Sequence, residues 1–525
     1  MDATPAIDAA SPHPPAPAPE TPTGASGRAR SIGRWAELVL VWGAVAFSAW
    51  MVAKYVFIAL NTVDFPYQLE WMEGGFVETV QRLVDGADIY PPPGLEYTGY
   101  IYPPFYYLVS AVFGGVMGVD FFALRMVSFL SILGVGALIY RFVQRETGGH
   151  RWAIVAVGLF FATYDVGGRW FHIARVDSLL LLLLLASLYV LRFRTTTRSA
   201  IVAGVLMACA VMTKQTAAIA LLPAGLVLLF IDRKRALVAG AVGVALAGLS
   251  VLVINAISDG WFWYYLVDVP KAHLMLDDRV QSFWTKDMWH VAILIGGAIV
   301  GAGVLVARRP KTGLFYAAMG GGLIVSAWLA RIHDGGWTNV VIPGFVAVVL
   351  LTTMGLGSAE RRPQREERAR LGGSPTAAGL ALMVVAQLGM LSYSDAWCIP
   401  ADDAQDRGDR LLGYVASLPG DVLMPDWRFL PEWADKQTYG LGMAAQDVRR
   451  MRDPQDPGRK RLNEELAAAF RARRFSHIIL TDRHHPLIPM MRPYYRYGWS
   501  IDILRPMVAG ATVLPRVVYV PITPP

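Results

Sequence analysis

The chain has 525 residues, of which 54% are hydrophobic and only 17% charged, and its net charge is +7. Soluble domains carry about 25% charged residues, so repeated apolar runs of about 20 residues define a polytopic membrane protein and exclude an ordinary water-soluble one. Two cysteines exclude a disulfide framework and a cysteine zinc site. The surplus of Lys and Arg falls in short clusters between apolar runs, the positive-inside pattern, which argues against a nucleic-acid partner.

Residues 1–30 are mostly Ala, Pro, Thr and Ser and are expected to form a disordered cytoplasmic tail. No cleavable signal peptide is expected, because the first apolar run begins only near Trp35. Arg28, Arg30 and Arg34 place the N-terminus in the cytoplasm. A first span over 35–60 leads into a long loop, 61–119. Its first part, 61–107, carries seven carboxylates (Asp64, Glu70, Glu73, Glu78, Asp85, Asp88, Glu96) against one basic residue, Arg82. A loop of this length and aromatic content is expected to be functional.

The apolar piece after Pro103-Pro104, up to residue 119, poses a question of topology. If it does not cross, the clusters at Arg141/Arg145/Arg151, Arg192/Arg194/Arg198, Arg233/Lys234/Arg235, Arg308/Arg309/Lys311 and Arg361/Arg362/Arg365/Arg368/Arg370 all fall inside. If it crosses, all fall outside. Charge therefore predicts an interfacial helix there. Eleven spans follow, near 35–60, 122–141, 152–165, 178–192, 199–213, 216–231, 236–257, 288–307, 313–331, 338–357 and 376–394. The domain of spans covers 31–394. Residues 395–525 are charged and mixed, with alternating helix and strand patterns, and are expected to form a small extracytoplasmic α/β domain.

Ionisable residues at membrane depth are candidates for function. Here they recur at the outer ends of the spans, among them Glu70, Glu73, Arg125, Arg175, Asp177, Lys214 and His333. A transporter more often places charge near the midplane, whereas a site at one face suits an enzyme acting on a lipid headgroup. Glu70 and Glu73, three apart in LEWMEGG, would share a face if helical, and a carboxylate suits proton abstraction from an acceptor. The competing reading is an amphipathic interfacial helix with both glutamates in water. Arg175 suits a phosphate, and Asp177 suits either orienting the base or holding a metal. Lys214 in MTKQT suits a phosphate as a point charge, or is a snorkelling lysine. His333-Asp334 is too small a set to establish a metal site.

The ordered set EWMEGGF, VDGADIY, YPPFYYLVSAVFG, FALRMVSFLSILGVGALIYRFV, ARVDSLLLLLLLASLYV, MTKQTA and GGWTNVVIP resembles the GT-C superfamily of polyprenyl-phosphate-sugar-dependent glycosyltransferases. It is most similar to protein mannosyltransferases, aminoarabinose transferases and RgtA/B/C/D-like proteins. The resemblance implies a mainly α, polytopic GT-C bundle and inverting transfer of a sugar from a polyprenyl-phosphate donor to a glycan, lipid or protein acceptor. Transfer would take place at the non-cytoplasmic face of a bacterial inner membrane. It implies Glu73 or Glu70 as the base, with Asp177 as a second catalytic acid. Substrate-binding candidates are Arg175, Lys214, Arg125, Tyr102 and His333. Relatives read Asp-Glu where this chain has Met72-Glu73, so both glutamates stand as candidates. No cofactor is assigned, and a divalent metal is left open. The rival functions are a transporter or flippase of a lipid-linked substrate and an inactive scaffold of the same fold.

Overall fold

The computed structural model describes residues 24–360, 375–501, 509–510 and 513–522, with residues 24–34, 360 and 375–377 as backbone only. The proposed tail as far as residue 23 and the arginine cluster 361–370 lie outside the described residues. Fifteen helices carry the architecture. They are α1 (Gly24–Leu60), α2 (Glu73–Val84), α3 (Phe105–Met117), α4 (Phe121–Thr147), α5 (His150–Ala162), α6 (Asp177–Phe193), α7 (Thr197–Thr213) and α8 (Ala217–Ile231). The rest are α9 (Arg233–Ile257), α10 (Ala292–Arg308), α11 (Pro310–Ile332), α12 (Ile342–Glu360), α13 (Pro375–Met390), α14 (Ala404–Ser417) and α15 (Pro457–Arg471). Residues 24–30, expected in the tail, already belong to α1, because this segment holds no proline and continues into the apolar run.

A helix stands at each of the eleven expected span positions. Among the described residues, six stretches are long and apolar enough to cross a membrane: Trp35–Leu60, Phe121–Thr147, Arg233–Ile257, Asp277–Arg308, Pro310–Ile332 and Thr338–Ala359. Shorter apolar helices, α5, α7 and α8 among them, pack between these. The bundle is apolar outside as well as inside: Phe230 is 90% and Val244 75% exposed. An apolar belt of this kind is stable against lipid and not against water.

Local chemistry sets the helix ends. The Asp120 carboxylate accepts the Ala123 N–H at 2.8 Å and starts α4, whereas Gly148, with φ 63°, ends it. Thr196 caps α7 in the same way, and Asp232 caps α9. At the arginine-rich face, buried Glu146 of α4 receives Arg192 of α6 at 2.7 Å and Arg309 at 3.2 Å. Tyr316 of α11 donates to the same carboxylate at 2.8 Å, so three helices meet on one acid.

At the opposite face the chain folds differently from a loop beside a separate domain. The C-terminal segment carries a four-stranded sheet of order β1-β2-β4-β3, with β1 Asp421–Leu423, β2 Phe475–Leu480, β3 Tyr495–Ser500 and β4 Val517–Pro521. β1 and β2 run parallel; β4 pairs antiparallel with both β2 and β3. β3 lies in YRYGWS, where Tyr495, Tyr497 and Trp499 alternate with Arg496, Gly498 and Ser500. Tyr67, Met72, Phe76 and Tyr100 of the first loop share one hydrophobic core with Leu411, Leu423, Phe429 and Phe470 of the C-terminal segment. The two parts therefore share one apolar core. Buried Arg428 pairs with buried Glu78 across the junction.

Candidate active site

The first loop turns sharply before α2. The expectation that Glu70 and Glu73 share a helical face fails here, because α2 begins at Glu73 and Glu70 lies in the preceding turn. The reason is local: the Glu73 carboxylate accepts the backbone N–H of Leu69 at 2.6 Å and of Glu70 at 3.3 Å, holding the turn closed against the helix start.

The two glutamates consequently have opposite surroundings. Glu73 is saturated. Arg125 of α4 donates Nε to Oε1 at 2.9 Å and Nη2 to Oε2 at 2.7 Å, and the Ala174 N–H reaches Oε1 at 2.7 Å. The remaining guanidinium donors go to the carbonyls of Phe65 at 2.6 Å and Tyr67 at 2.7 Å. Burial would raise the Glu73 carboxyl, but Arg125 and these hydrogen bonds outweigh it and hold it below the usual carboxylate range. Glu70 is just as buried, yet only Oε2 is bonded, accepting from Met72 N–H at 3.0 Å and Arg175 Nη1 at 3.3 Å. Among the described residues its Oε1 has no hydrogen-bond partner. Burial pushes its carboxyl up to about 7, against the opposing pull of Arg175.

Arg175 is the hub. Its Nη2 donates to the Tyr102 hydroxyl at 3.1 Å, and its guanidinium carbon lies 5.0 Å from the ring centres of both Phe76 and Trp170. Tyr102 joins this group to the next one, because the Lys214 ammonium lies 5.8 Å from its ring centre. Lys214 donates to Asp177 Oδ1 at 2.8 Å, and Asn339 donates to Asp177 Oδ2 at 2.9 Å. Three buried carboxylates, Glu70, Glu73 and Asp177, thus face three buried cations, Arg125, Arg175 and Lys214. This balance is what makes so many charges tolerable in a low-dielectric site.

Seven of the eight sequence candidates converge: Glu70, Glu73, Asp177, Arg125, Arg175, Lys214 and Tyr102. His333 does not join them. Its ring nitrogens face the carbonyls of Asp334 and Pro270, each at 2.8 Å, and it ties together two loops at this face. Asp177 has both oxygens engaged, and among the described residues no group of three or more His, Cys, Asp or Glu could hold a metal ion.

Three contributors were absent from the sequence candidates. Asn339 stood in GGWTN but carried no signal beyond its polarity ahead of an apolar run. Trp170, in GGRWF, lies outside the candidates, yet its ring centre stands 5.0 Å from the Arg175 guanidinium carbon. Gly510 had no signal at all: with φ 67° it packs on the site, and a Cβ there would lie 2.9 Å from Glu70 Cγ and 3.0 Å from Trp170 Cζ2.

An apolar groove of about 240 Å³ approaches from the side of the bundle. Pro104, Phe105 and Leu108 form one wall, with Cys209 and Met212 of α7 and Leu246 of α9 opposite. Two of its lining residues, Pro104 and Met212, stand two positions along the chain from Tyr102 and Lys214 respectively.

The helical bundle, with its buried ionic site under a loop-and-sheet cover, is similar in fold to ArnT and to the oligosaccharyltransferase AglB. The family model for dolichyl-phosphate-mannose-protein mannosyltransferase matches residues 102–261. Among solved structures, the chain is similar to ArnT from Cupriavidus metallidurans bound to undecaprenyl phosphate. The TM-score is 0.55 and the identity 12%, over 89% of this chain and 97% of that one. Against ArnT in the apo state the TM-score is 0.51 and the identity 13%, over 91% and 98%. The archaeal oligosaccharyltransferase AglB from Archaeoglobus fulgidus, in complex with an inhibitory peptide and a dolichol-phosphate, gives a TM-score of 0.51 at 12% identity, over 84% and 70%. No curated protein sequence matches the chain significantly. The GT-C resemblance read from the motifs stands on the family match and the fold together.

Proposed function

We propose that the protein is an inverting glycosyltransferase that moves a sugar from a polyprenyl-phosphate donor to an acceptor at the non-cytoplasmic face of a bacterial inner membrane. The chain would cross the membrane eleven times, with the N-terminus inside. The observation that carries this reading is Glu70: a buried carboxylate with one oxygen unbonded among the described residues, its pKa near 7, in contact with Arg175, which Tyr102 links to Lys214. The polyprenyl chain occupies the groove and its phosphate meets Lys214 and Arg175. The structures bound to undecaprenyl phosphate and to a dolichol-phosphate support a donor of this class.

In the reaction the acceptor heteroatom attacks the anomeric carbon while its proton passes to Glu70 Oε1. The bond from that carbon to the phosphate oxygen breaks, and polyprenyl phosphate leaves as an anion stabilised by Lys214 and Arg175. One displacement inverts the anomeric centre. A phosphate is already a good leaving group, so no general acid is required. Asp177, held by Lys214 and Asn339, positions the lysine.

The test is transfer by purified protein in lipid nanodiscs from radiolabelled undecaprenyl-phosphate sugars, pentose and hexose, to cell-envelope acceptors. Glu70-dependent transfer supports the reading. Lipid translocation without any transfer would favour a flippase instead.

A further inference from the structure

A second cavity lies apart from the ionic site. It is a cleft of about 640 Å³ between residues 91–97 of the first loop and α15 of the C-terminal segment. Arg82, Arg461, Arg474, Glu96 and Glu465 supply its charged walls. Its volume falls in the range of small-molecule sites, and junctions between folded units are where such sites occur. The walls are built, not fluid. Glu465 accepts the Leu95 N–H at 2.8 Å and Arg461 Nε at 3.0 Å. Arg82 stacks on the Tyr97 ring at 4.1 Å and donates to the Asp88 carbonyl at 3.0 Å.

Charge indicates what the cleft takes. Three arginines face two glutamates, and Asp421 stands 3.6 Å behind Arg474, so the walls are close to neutral. A polyanion or polycation gains little there. Arg and Glu in alternation offer planar donor and acceptor forks, which match the adjacent hydroxyls of a sugar ring. The cleft also connects to the chemistry. α2 runs from Glu73, locked into the ionic site, to Arg82 at the cleft, nine residues or about 14 Å at the helical rise.

We propose that this cleft is an acceptor subsite that binds an uncharged, hydroxyl-rich saccharide segment some distance from the point of transfer. The proposal rests on the glycosyltransferase reading and deepens it: the acceptor is a glycan or glycolipid, gripped by the first loop and α15 together.

The experiment uses full-length protein in nanodiscs and saturation-transfer NMR with three probes: neutral hexose tetrasaccharides (gluco- and manno-linked), a tetragalacturonate and an unstructured neutral peptide. A neutral tetrasaccharide should bind, and Ala468→Trp, an exposed position lining the cleft, should weaken it tenfold or more. Arg461→Ala should do the same without adding bulk. Undecaprenyl phosphate binding, measured in the same preparation, should be unchanged in both variants. Preference for the uronate or the peptide, no saccharide binding in the wild type, or binding indifferent to both substitutions overturns the subsite. Loss of undecaprenyl phosphate binding by the wild type would sink the donor reading instead, so the two failures are distinguishable.

Discussion

Glu73 and Arg125 form a two-point ion pair, with contacts of 2.9 and 2.7 Å and neither side chain exposed, and it takes out of chemical use the glutamate that the motif puts foremost. A carboxylate that already accepts five hydrogen bonds has no lone pair to offer a substrate. Its neighbour Glu70 has one.

Glu70→Gln should therefore lower transfer by a factor of about 10² to 10⁴, the usual worth of a general base. Undecaprenyl phosphate affinity and thermal stability should stay near wild type. Radiolabelled transfer, beside a binding isotherm, checks this; retention of more than half the activity removes Glu70 from the role.

The same carboxyl sets a pH profile. Burial raises it to about 7, so it is protonated below that value and unable to accept a proton. kcat/KM should climb with pH and level off above about 7. The Glu70→Gln residual activity should show no such limb. An acid limb at pH 4 to 5 would contradict the assignment.

Glu73→Ala should act on stability. Removing one partner of a buried pair costs about 3–5 kcal/mol, here by leaving Arg125 uncompensated under the loop. The folded carboxyl is depressed, so this contribution is present above the unfolded value of about 4.3 and is lost as pH falls through the folded one. Melting temperature against pH, in wild type and variant, reads both effects: the gap between them should close in acid.

Lys214→Met and Arg175→Lys separate the donor contacts. The first removes a point charge and should weaken undecaprenyl phosphate binding about tenfold or more. The second keeps the charge but loses the planar fork on Tyr102 and Glu70, so it should lower kcat more than it raises KM. Equal losses in both constants for both variants would argue against the division of labour.

Gly75→Ala tests the cover. A Cβ there would come within 1.8 Å of the Tyr100 hydroxyl. Overpacking of this kind costs about 1–3 kcal/mol, and Tyr100→Phe, which removes the colliding atom, should restore part of it in a double variant. A double variant no more stable than Gly75→Ala alone would show that the collision lies elsewhere.

The sequence by itself determined the helical membrane class, because twenty-residue apolar runs have one economical structure in lipid. It singled out the loop 61–119 and eight candidate residues, seven of which the fold brings together, because charge beside apolar spans is rare and so conspicuous. It also pointed to alternating helices and strands in 395–525, where α14, α15 and the four-stranded sheet stand. What the tertiary structure decided was the difference between two glutamates three residues apart. Their identity and spacing are equivalent in the sequence. Only folding brings Arg125, from 52 residues away, onto Glu73 and leaves Glu70 with Arg175 and an unbonded oxygen. The same holds for Gly510 and Asn339, whose roles exist only through contacts made across hundreds of residues. A pKa and a free lone pair belong to surroundings, and those surroundings are assembled by the fold.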